Sequence, residues 1–394
     1  FEACLIEAVR KGASDIHILP NPKRHTVFSL RIDGALQVWH TQSKTTPEAM
    51  LAVVKDRCGN IDRFEREAAQ DGYIQRVVDD ALIRFRVSVL PVANANRTIK
   101  AESIVIRVLD DRNVFTDLSQ IGLLPGALER YKKAIHKPHG MIIMTGPTGS
   151  GKSTTLVAAL QEVTRPDLNV ITVEDPVEYV IPSIRQIKLG PRLDMEQAMR
   201  SILRHDPDIV MVGEMRDRQT AELAIKLANT GHLTFSTLHT NDSASAVSRL
   251  YKMGIEPFLI AYAINLIVAQ RLLRKLCPDC KEVDRDPDRL LLGELGFSEE
   301  EMESTTFYRS RENGSCKTCR GLGYKGRRAI SEALYVTQAI RNLIVSAGEA
   351  VDEEAIKRIA VGEGMLTLIA SAREVVKMGE TSVEEIIRVT ASED

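Results

Sequence analysis

The chain has 394 residues, enough for two or three domains that each bury their own core. Its 52 lysines and arginines nearly cancel 54 aspartates and glutamates, so bulk charge makes no case for a nucleic-acid binder. The longest nearly unbroken apolar run, 258–268, falls well short of the ~20 residues that span a bilayer.

The first residue is Phe1, so a start further upstream is expected, and the N-terminal residues show no signal peptide. Residues 1–11 read as a helix. Short β-type runs then alternate with turns at 15–19, 27–32 (closed by Asp33-Gly34), 73–78, 82–90 and 103–109. Helices are expected around 47–58 and 62–69. Together these make an α+β domain over 1–110 with no phosphate loop of its own. A polar connector, Asp110-Asp111-Arg112-Asn113, opens a linker and lead-in segment over 111–139, with a helix at 126–136.

From 140 onward strand-like runs at 141–145, 170–174, 208–213 and 232–238 alternate with helical stretches at 152–163, 195–204, 218–229 and 243–253. That alternation argues for an α/β domain over 140–394, with a parallel sheet between helices. Beyond 257 a helical C-terminal region is expected, interrupted by a cysteine-bearing insert at 277–319. Within it, 258–268 is too short for a membrane helix and reads as a buried core helix, so membrane contact has to run through a partner.

The stretch 141–154, MIIMTGPTGSGKST, says most about chemistry. An apolar run feeds Gly146-x-x-x-x-Gly151-Lys152-Ser153, and TLVAALQEV continues as a helix, which is the setting a P-loop requires. Glycines let successive N–H groups point inward as an anion nest at a helix N-terminus, so Gly146, Pro147, Thr148, Gly149, Ser150, Gly151 and Thr154 are expected to cradle phosphate. Lys152 would reach the β- and γ-phosphates, and the Ser153 hydroxyl would hold Mg²⁺. The chain is expected to bind a nucleoside triphosphate.

Three further runs end in polar residues. DIVMVGEMRD (208–217) is apolar on both faces and delivers Glu214 beside the P-loop, placed to polarise a water or reach the Mg²⁺ shell. ITVEDPVEY (171–179) ends in Glu174, Asp175 and Glu178, and GHLTFSTLHTN (231–241) begins with His232 and ends with His239. Several polar tips on one sheet edge beside a P-loop form a site, although a lone histidine is more often structural.

Cys277-Pro-Asp-Cys280 and Cys316-Lys-Thr-Cys319 suit a reducing compartment and one tetrahedral Zn²⁺ better than a disulfide frame. The insert between them is hydrophilic and acid-rich over 284–303 and needs a staple, so the zinc reads as structural. Its loss is expected to disorder 277–319 and spare the P-loop domain. Cys4 and Cys58 stand alone and read as inert.

MTGPTGSGKSTT, ITVEDPVEY, LRHDPDIVMVGEMRD and GHLTFSTLHTNDS, in this order, resemble the secretion ATPases of type II secretion and type IV pilus assembly. ASDIHI (13–18) and RIDG (31–34) resemble that family's second N-terminal domain, with its first such domain lying outside this sequence. The resemblance implies a RecA-like core, a PAS-like smaller domain and a hexameric, cytoplasmic Mg-ATPase at the inner membrane. Its implied partners are a membrane platform protein and assembly-complex components. Glu178 and Glu214 match the aspartate-box and Walker B glutamates, and His232 and His239 the histidine box. Arg86 and Arg107 match basic residues that reach a nucleotide on a neighbouring subunit, while Arg200, Arg204, Arg216 and Arg249 match arginines of the large domain. A surface or salt-bridging role is the alternative for each arginine. The longer VANANRTIKAES segment leaves open which of Arg84, Arg86 and Arg97 faces nucleotide. The tetracysteine insert resembles assembly and secretion ATPases, and AIRNLI (339–344) resembles a helix of retraction ATPases. Pilus assembly is the favoured reading, type II secretion the near alternative. A nucleic-acid translocase is disfavoured, because no basic stripe is interleaved with aromatics.

Overall fold

The computed structural model describes residues 1–93, 101–113, 115–311, 315–348 and 350–390. The chain divides into two compact units, Phe1–Val114 and Phe115–Asp394.

In the first unit α1 (Glu2–Arg10) and α2 (Pro47–Asp56) accompany one sheet. Its strands are β1 (Asp15–Pro20), β2 (Thr26–Ile32), β3 (Ala35–Gln42), β4 (Gln70–Val78), β5 (Ala81–Val92) and β6 (Ala101–Leu109). All neighbours pair antiparallel, in the order β3-β2-β1-β6-β5-β4. Along β5 the period of two sends Ile83, Phe85, Val87 and Val89 inward and turns Arg84, Arg86 and Ser88 to the other face. The inward residues join Leu5, Leu51, Val54, Ile104 and Ile106 in one core. Lys55 is buried beside them and pairs with Glu102 at 2.7 Å. The helix expected at 62–69 does not form. There the Asp62 and Glu65 carboxylates accept from the Phe64 and Glu67 amides at 2.8 and 2.6 Å, offering the backbone an alternative to helical bonds.

The second unit begins with α3 (Pro125–Ile135) and β7 (Gly140–Thr145). It continues through α4 (Lys152–Val163), β8 (Val170–Glu174), β9 (Arg185–Lys188), α5 (Met195–Ile202), β10 (Ile209–Val212), α6 (Arg218–Asn229), β11 (Leu233–Leu238), α7 (Ser243–Lys252), α8 (Pro257–Ala263) and β12 (Ile264–Leu276). The insert holds β13 (Glu282–Val283), α9 (Arg289–Glu294), α10 (Glu299–Ser304) and β14 (Tyr308–Arg309). β15 (Tyr324–Tyr335) and α11 (Gln338–Val345), α12 (Glu353–Gly362), α13 (Leu368–Lys377) and α14 (Val383–Thr390) complete it. The sheet runs β15-β12-β7-β11-β10-β8-β9, parallel from β12 to β9, with β15 antiparallel on its edge. β7, β8, β10 and β11 are buried along their whole length, as strands covered on both faces must be.

The expected core helix at 258–268 is half helix and half strand, since α8 ends at Ala263 and β12 starts at Ile264. β-branched Ile264, Ile267 and Val268 are stiff at χ1 and suit a strand, and β7 supplies a partner edge that no local pattern reveals. β15 likewise adds a long strand to a region expected to be helical. No helix among the described residues is long and apolar enough to cross a membrane.

Candidate nucleotide site

β7 ends in Thr145, and the chain then turns through Gly146, Gly149 and Gly151, all at positive φ (140°, 80° and 87°), before α4 starts at Lys152. Crowding would punish a side chain here: a Cβ on Gly146 would lie 2.6 Å from the Gln270 carbonyl oxygen and 2.9 Å from Ser150 Oγ. Lys152 folds back over the loop, its Nζ donating to the Gly146 and Pro147 carbonyls at 2.6 and 3.1 Å. Burial pulls the Lys152 ammonium down to about 8, opposed by Glu214 and Glu178 and reinforced by nearby Arg271. That places both glutamates within electrostatic reach of the P-loop lysine. Ser153 is exposed in the first turn of α4. A curled glycine loop at the N-terminus of α4 with an inward lysine and an exposed serine suits a magnesium-bound triphosphate.

The other strand tips gather on the same edge, because β8, β10 and β11 run parallel to β7. Glu214 follows β10 and is held between His239 Nε2 at 3.1 Å and Arg216 Nε at 2.7 Å. The Glu214 hydrogen bond raises the Arg216 pKa further. Glu174, buried at the end of β8, accepts from Thr172 Oγ1 at 2.7 Å and Gln186 Nε2 at 3.0 Å. Thr145 Oγ1 donates to the Thr240 carbonyl at 2.9 Å, tying the tip of β7 to the loop that carries His239.

Four expected residues are not brought to this edge within the unit. His232 sits at the start of β11, its Nδ1 at 3.0 Å from the Leu227 carbonyl, and a six-residue strand, roughly 20 Å at 3.3 Å per residue, separates it from the tips. Arg200 lies in the last turn of α5, paired with Glu196, and Arg204 follows it on the way into the start of β10. Arg249 is exposed in the last turn of α7, which leads away from the tip of β11.

In the first unit Arg86 and Arg107 stand directly opposite each other on β5 and β6. Both are exposed, and Arg107 Nε also reaches Asp15 at 3.3 Å. Arg84 Nη2 is turned to Asp111 at 2.9 Å. Arg97 lies outside the described residues.

The four paired cysteines converge, with their Sγ atoms all within 4.8 Å of one another and the Cys277–Cys316 and Cys280–Cys319 pairs at 3.8 and 3.5 Å. A tetrahedral ion with ~2.3 Å Zn–S bonds needs sulfur edges near 3.8 Å, so this donor set fits zinc. The Cys319 amide, foremost among its hydrogen-bonding neighbours, draws the Cys316 thiol down to about 7.

Two residues of this site were not foreseen. Gln270 and Arg271 are buried in β12: Gln270 Nε2 donates to the Ser150 carbonyl of the phosphate loop at 2.8 Å, and Arg271 Nη2 donates to the Asn241 carbonyl, in the loop that carries His239, at 2.6 Å. A Gln-Arg pair interrupting the apolar run of INLIVAQRLL was the available signal.

A parallel sheet with the loop after one strand and carboxylates after its neighbours defines a P-loop nucleoside triphosphatase. A family model described as Type II/IV secretion system protein matches residues 1–388. The chain belongs to that family. It is 42% identical over 386 residues to the type IV pilus assembly ATPase PilB of Thermus thermophilus, covering 98% of this chain and 42% of the relative. It is 40% identical over 394 residues to the type II secretion system ATPase E of Vibrio cholerae, covering 98% of this chain and 74% of the relative. Among solved structures, the pilus retraction motor PilT with bound ADP is similar at 26% identity and a TM-score of 0.64, covering 97% of this chain and 94% of that one. The Legionella pneumophila ATPase DotB shares the fold at 21% identity and a TM-score of 0.74, covering 98% and 93%.

Proposed function

We propose that this chain is the working part of an ATP-hydrolysing motor that drives type IV pilus assembly. The observation that carries the reading is the glycine loop with Lys152 folded over it, beside Glu214 held by His239 and Arg216 at the same edge of the parallel sheet. In this reading the loop amides and Lys152 hold the β- and γ-phosphates, and Ser153 would hold Mg²⁺, which when bound neutralises phosphate charge. Glu214 orients the attacking water and accepts its proton, and Glu178 supports it from the neighbouring tip. His239 and Arg216 fix the Glu214 carboxylate.

Hydrolysis spreads negative charge over the γ-phosphoryl oxygens, which calls for guanidinium groups. Arg86 and Arg107 are exposed and directly opposite each other, with Asp15 at 3.3 Å from Arg107 Nε, so guanidinium groups are concentrated on one face of the first unit. We assign to that face the nucleotide of a neighbouring subunit, which makes the motor a ring, taken as a hexamer. His232, Arg200, Arg204 and Arg249 would then meet a neighbour rather than the nucleotide of their own subunit. The ring would work in the cytoplasm against an inner-membrane platform protein, with membrane contact only through that partner. Zinc would serve the insert as a staple.

Lys152→Ala should abolish ATP turnover while leaving the far-ultraviolet circular dichroism spectrum and thermal melting intact, and full activity in that variant would sink the site. Sedimentation showing a monomer with undiminished turnover would sink the ring. Type II secretion is the second reading, favoured by the type II relative at 40% identity. Loss of the gene should remove surface pili, whereas loss of secreted enzymes with pili retained would favour secretion. ATPase stimulation by single-stranded DNA would favour a translocase.

A further inference from the structure

β12 runs beside the P-loop strand with Ala269 aligned to Thr145, the last residue of β7. One residue later the two chains part. β7 gives way to the phosphate loop, while β12 continues underneath it, still paired to β15 with Gln270 opposite Ser331. Gln270 is 1% exposed, and its uncharged amide makes two bonds that end on opposite sides of the loop's exit. Nε2 donates to the Ser150 carbonyl at 2.8 Å, and Oε1 accepts from Thr155 Oγ1, in the first turn of α4, at 2.9 Å. The same Nε2 lies 2.9 Å from where a Cβ on Gly151 would be, so the loop rests on this side chain.

We propose that Gln270 is a positioning residue that presents the loop's amides to phosphate. A trans peptide points its N–H opposite to its C=O. Drawing the Ser150 carbonyl down onto Gln270 therefore turns the Gly151 N–H the other way, off β12. Orienting that peptide before ligand arrives removes an ordering cost from nucleotide binding. A glutamine suits the task because it satisfies a carbonyl and a hydroxyl at once without adding charge beside Lys152, whose ammonium already has Arg271 near it.

This inference rests on the loop's being the nucleotide site, so binding of a fluorescent ADP analogue with Mg²⁺ is measured first on the unaltered full chain; failure there removes that reading and not this one. Gln270→Met keeps the shape and removes both bonds, and should weaken the analogue's affinity roughly tenfold or more, the size expected for a buried carbonyl left unsatisfied. Thr155→Val removes only the bond to α4 and should stay within about threefold of the unaltered chain. Gln270→Glu supplies a pH readout that a merely structural role would not move. A protonated carboxyl can still donate to Ser150, so affinity should approach the unaltered value at low pH and fall as the carboxyl ionises. If Gln270→Met does not fold, that pH profile carries the test alone. Unchanged affinity in Gln270→Met, an equal loss in Thr155→Val, or a flat profile for Gln270→Glu would each overturn the assignment.

Discussion

Removing the metal should split the cysteine insert into a part that loosens and a part that stays. The sequence alone predicts disorder across all of 277–319, but the structure divides the segment. The two cysteine turns meet at the sulfur cluster, at a backbone bond from the Cys277 amide to the Gly323 carbonyl at 2.8 Å, and at a side-chain bond that Thr318 donates to Asp279. The α9–α10 hairpin is held differently. Leu292, Phe297 and Phe307 are buried against Leu368, Ala372, Val375 and Val376, mainly from α13. At ~1.5–3 kcal/mol for each fully buried side chain, those three contribute roughly 5–9 kcal/mol, comparable with the ~10 kcal/mol that zinc gives an isolated finger. Arg373 and Lys377 of α13 clamp Glu301 of α10 at 2.6 and 2.5 Å, and these pairs, Lys377 foremost, hold the Glu301 carboxyl down to about 2. Hydrogen exchange after chelation is the assay. The amides of Lys281, Gly321 and Gly323, bonded within the cysteine turns, should lose protection, while those of Leu292, Leu295 and Phe297 keep theirs. Phe297→Ala should act conversely, undocking the hairpin at a cost of about 3–5 kcal/mol while zinc content stays near one per chain. Simultaneous loss of protection across the whole insert after chelation would refute the division. No change anywhere, or purified protein without zinc, would refute the metal site itself.

Two further outcomes rest on charge. The Lys152 ammonium sits at about 8 in the free protein and regains its charge against phosphate, so bound nucleotide raises its pKa; affinity should be level below about pH 8 and fall as pH rises beyond it, with proton uptake on binding. Calorimetry in buffers of different ionisation heat reads that uptake, and constant affinity with no uptake above about pH 8 would contradict it. Arg86→Ala relieves a like-charged cross-strand pair, so the first unit should be unchanged or up to ~1 kcal/mol more stable to denaturant. Turnover should nevertheless fall by roughly a thousandfold. Intact turnover in Arg86→Ala would remove that residue from the chemistry.

The readable part of the molecule was the part where one residue type has one use. Gly146, Gly151, Lys152 and Ser153 announce themselves because the loop demands left-handed glycines at fixed spacing, and the structure gives those glycines positive φ. Polar ends on apolar runs pointed to Glu174, Glu214 and His239, which the structure carries at the ends of β8, β10 and β11 on one edge. What stayed hidden depends on partners distant in sequence. In 264–276 the β-branched Ile264, Ile267 and Val268 lean toward a strand only weakly, and the deciding neighbour, β7, lies more than 100 residues upstream. At 62–69 helical composition lost to the short reach of Asp62 and Glu65 onto their own backbone.

His232 and His239 carry the sharper lesson. They bracket one six-residue strand, and in a parallel sheet the two ends of a strand belong to different surfaces. Adjacency in a motif therefore says that two residues share a strand and leaves open whether they share a site. Glu214 and His239 show the converse: they come from different strands and lie 3.1 Å apart because both leave the sheet at the same end. For this fold, the direction in which a residue leaves the sheet assigns it to the nucleotide edge or to the opposite one. Gln270 obeys the same rule, since its strand passes the level of Gly146 as it heads toward the loop edge.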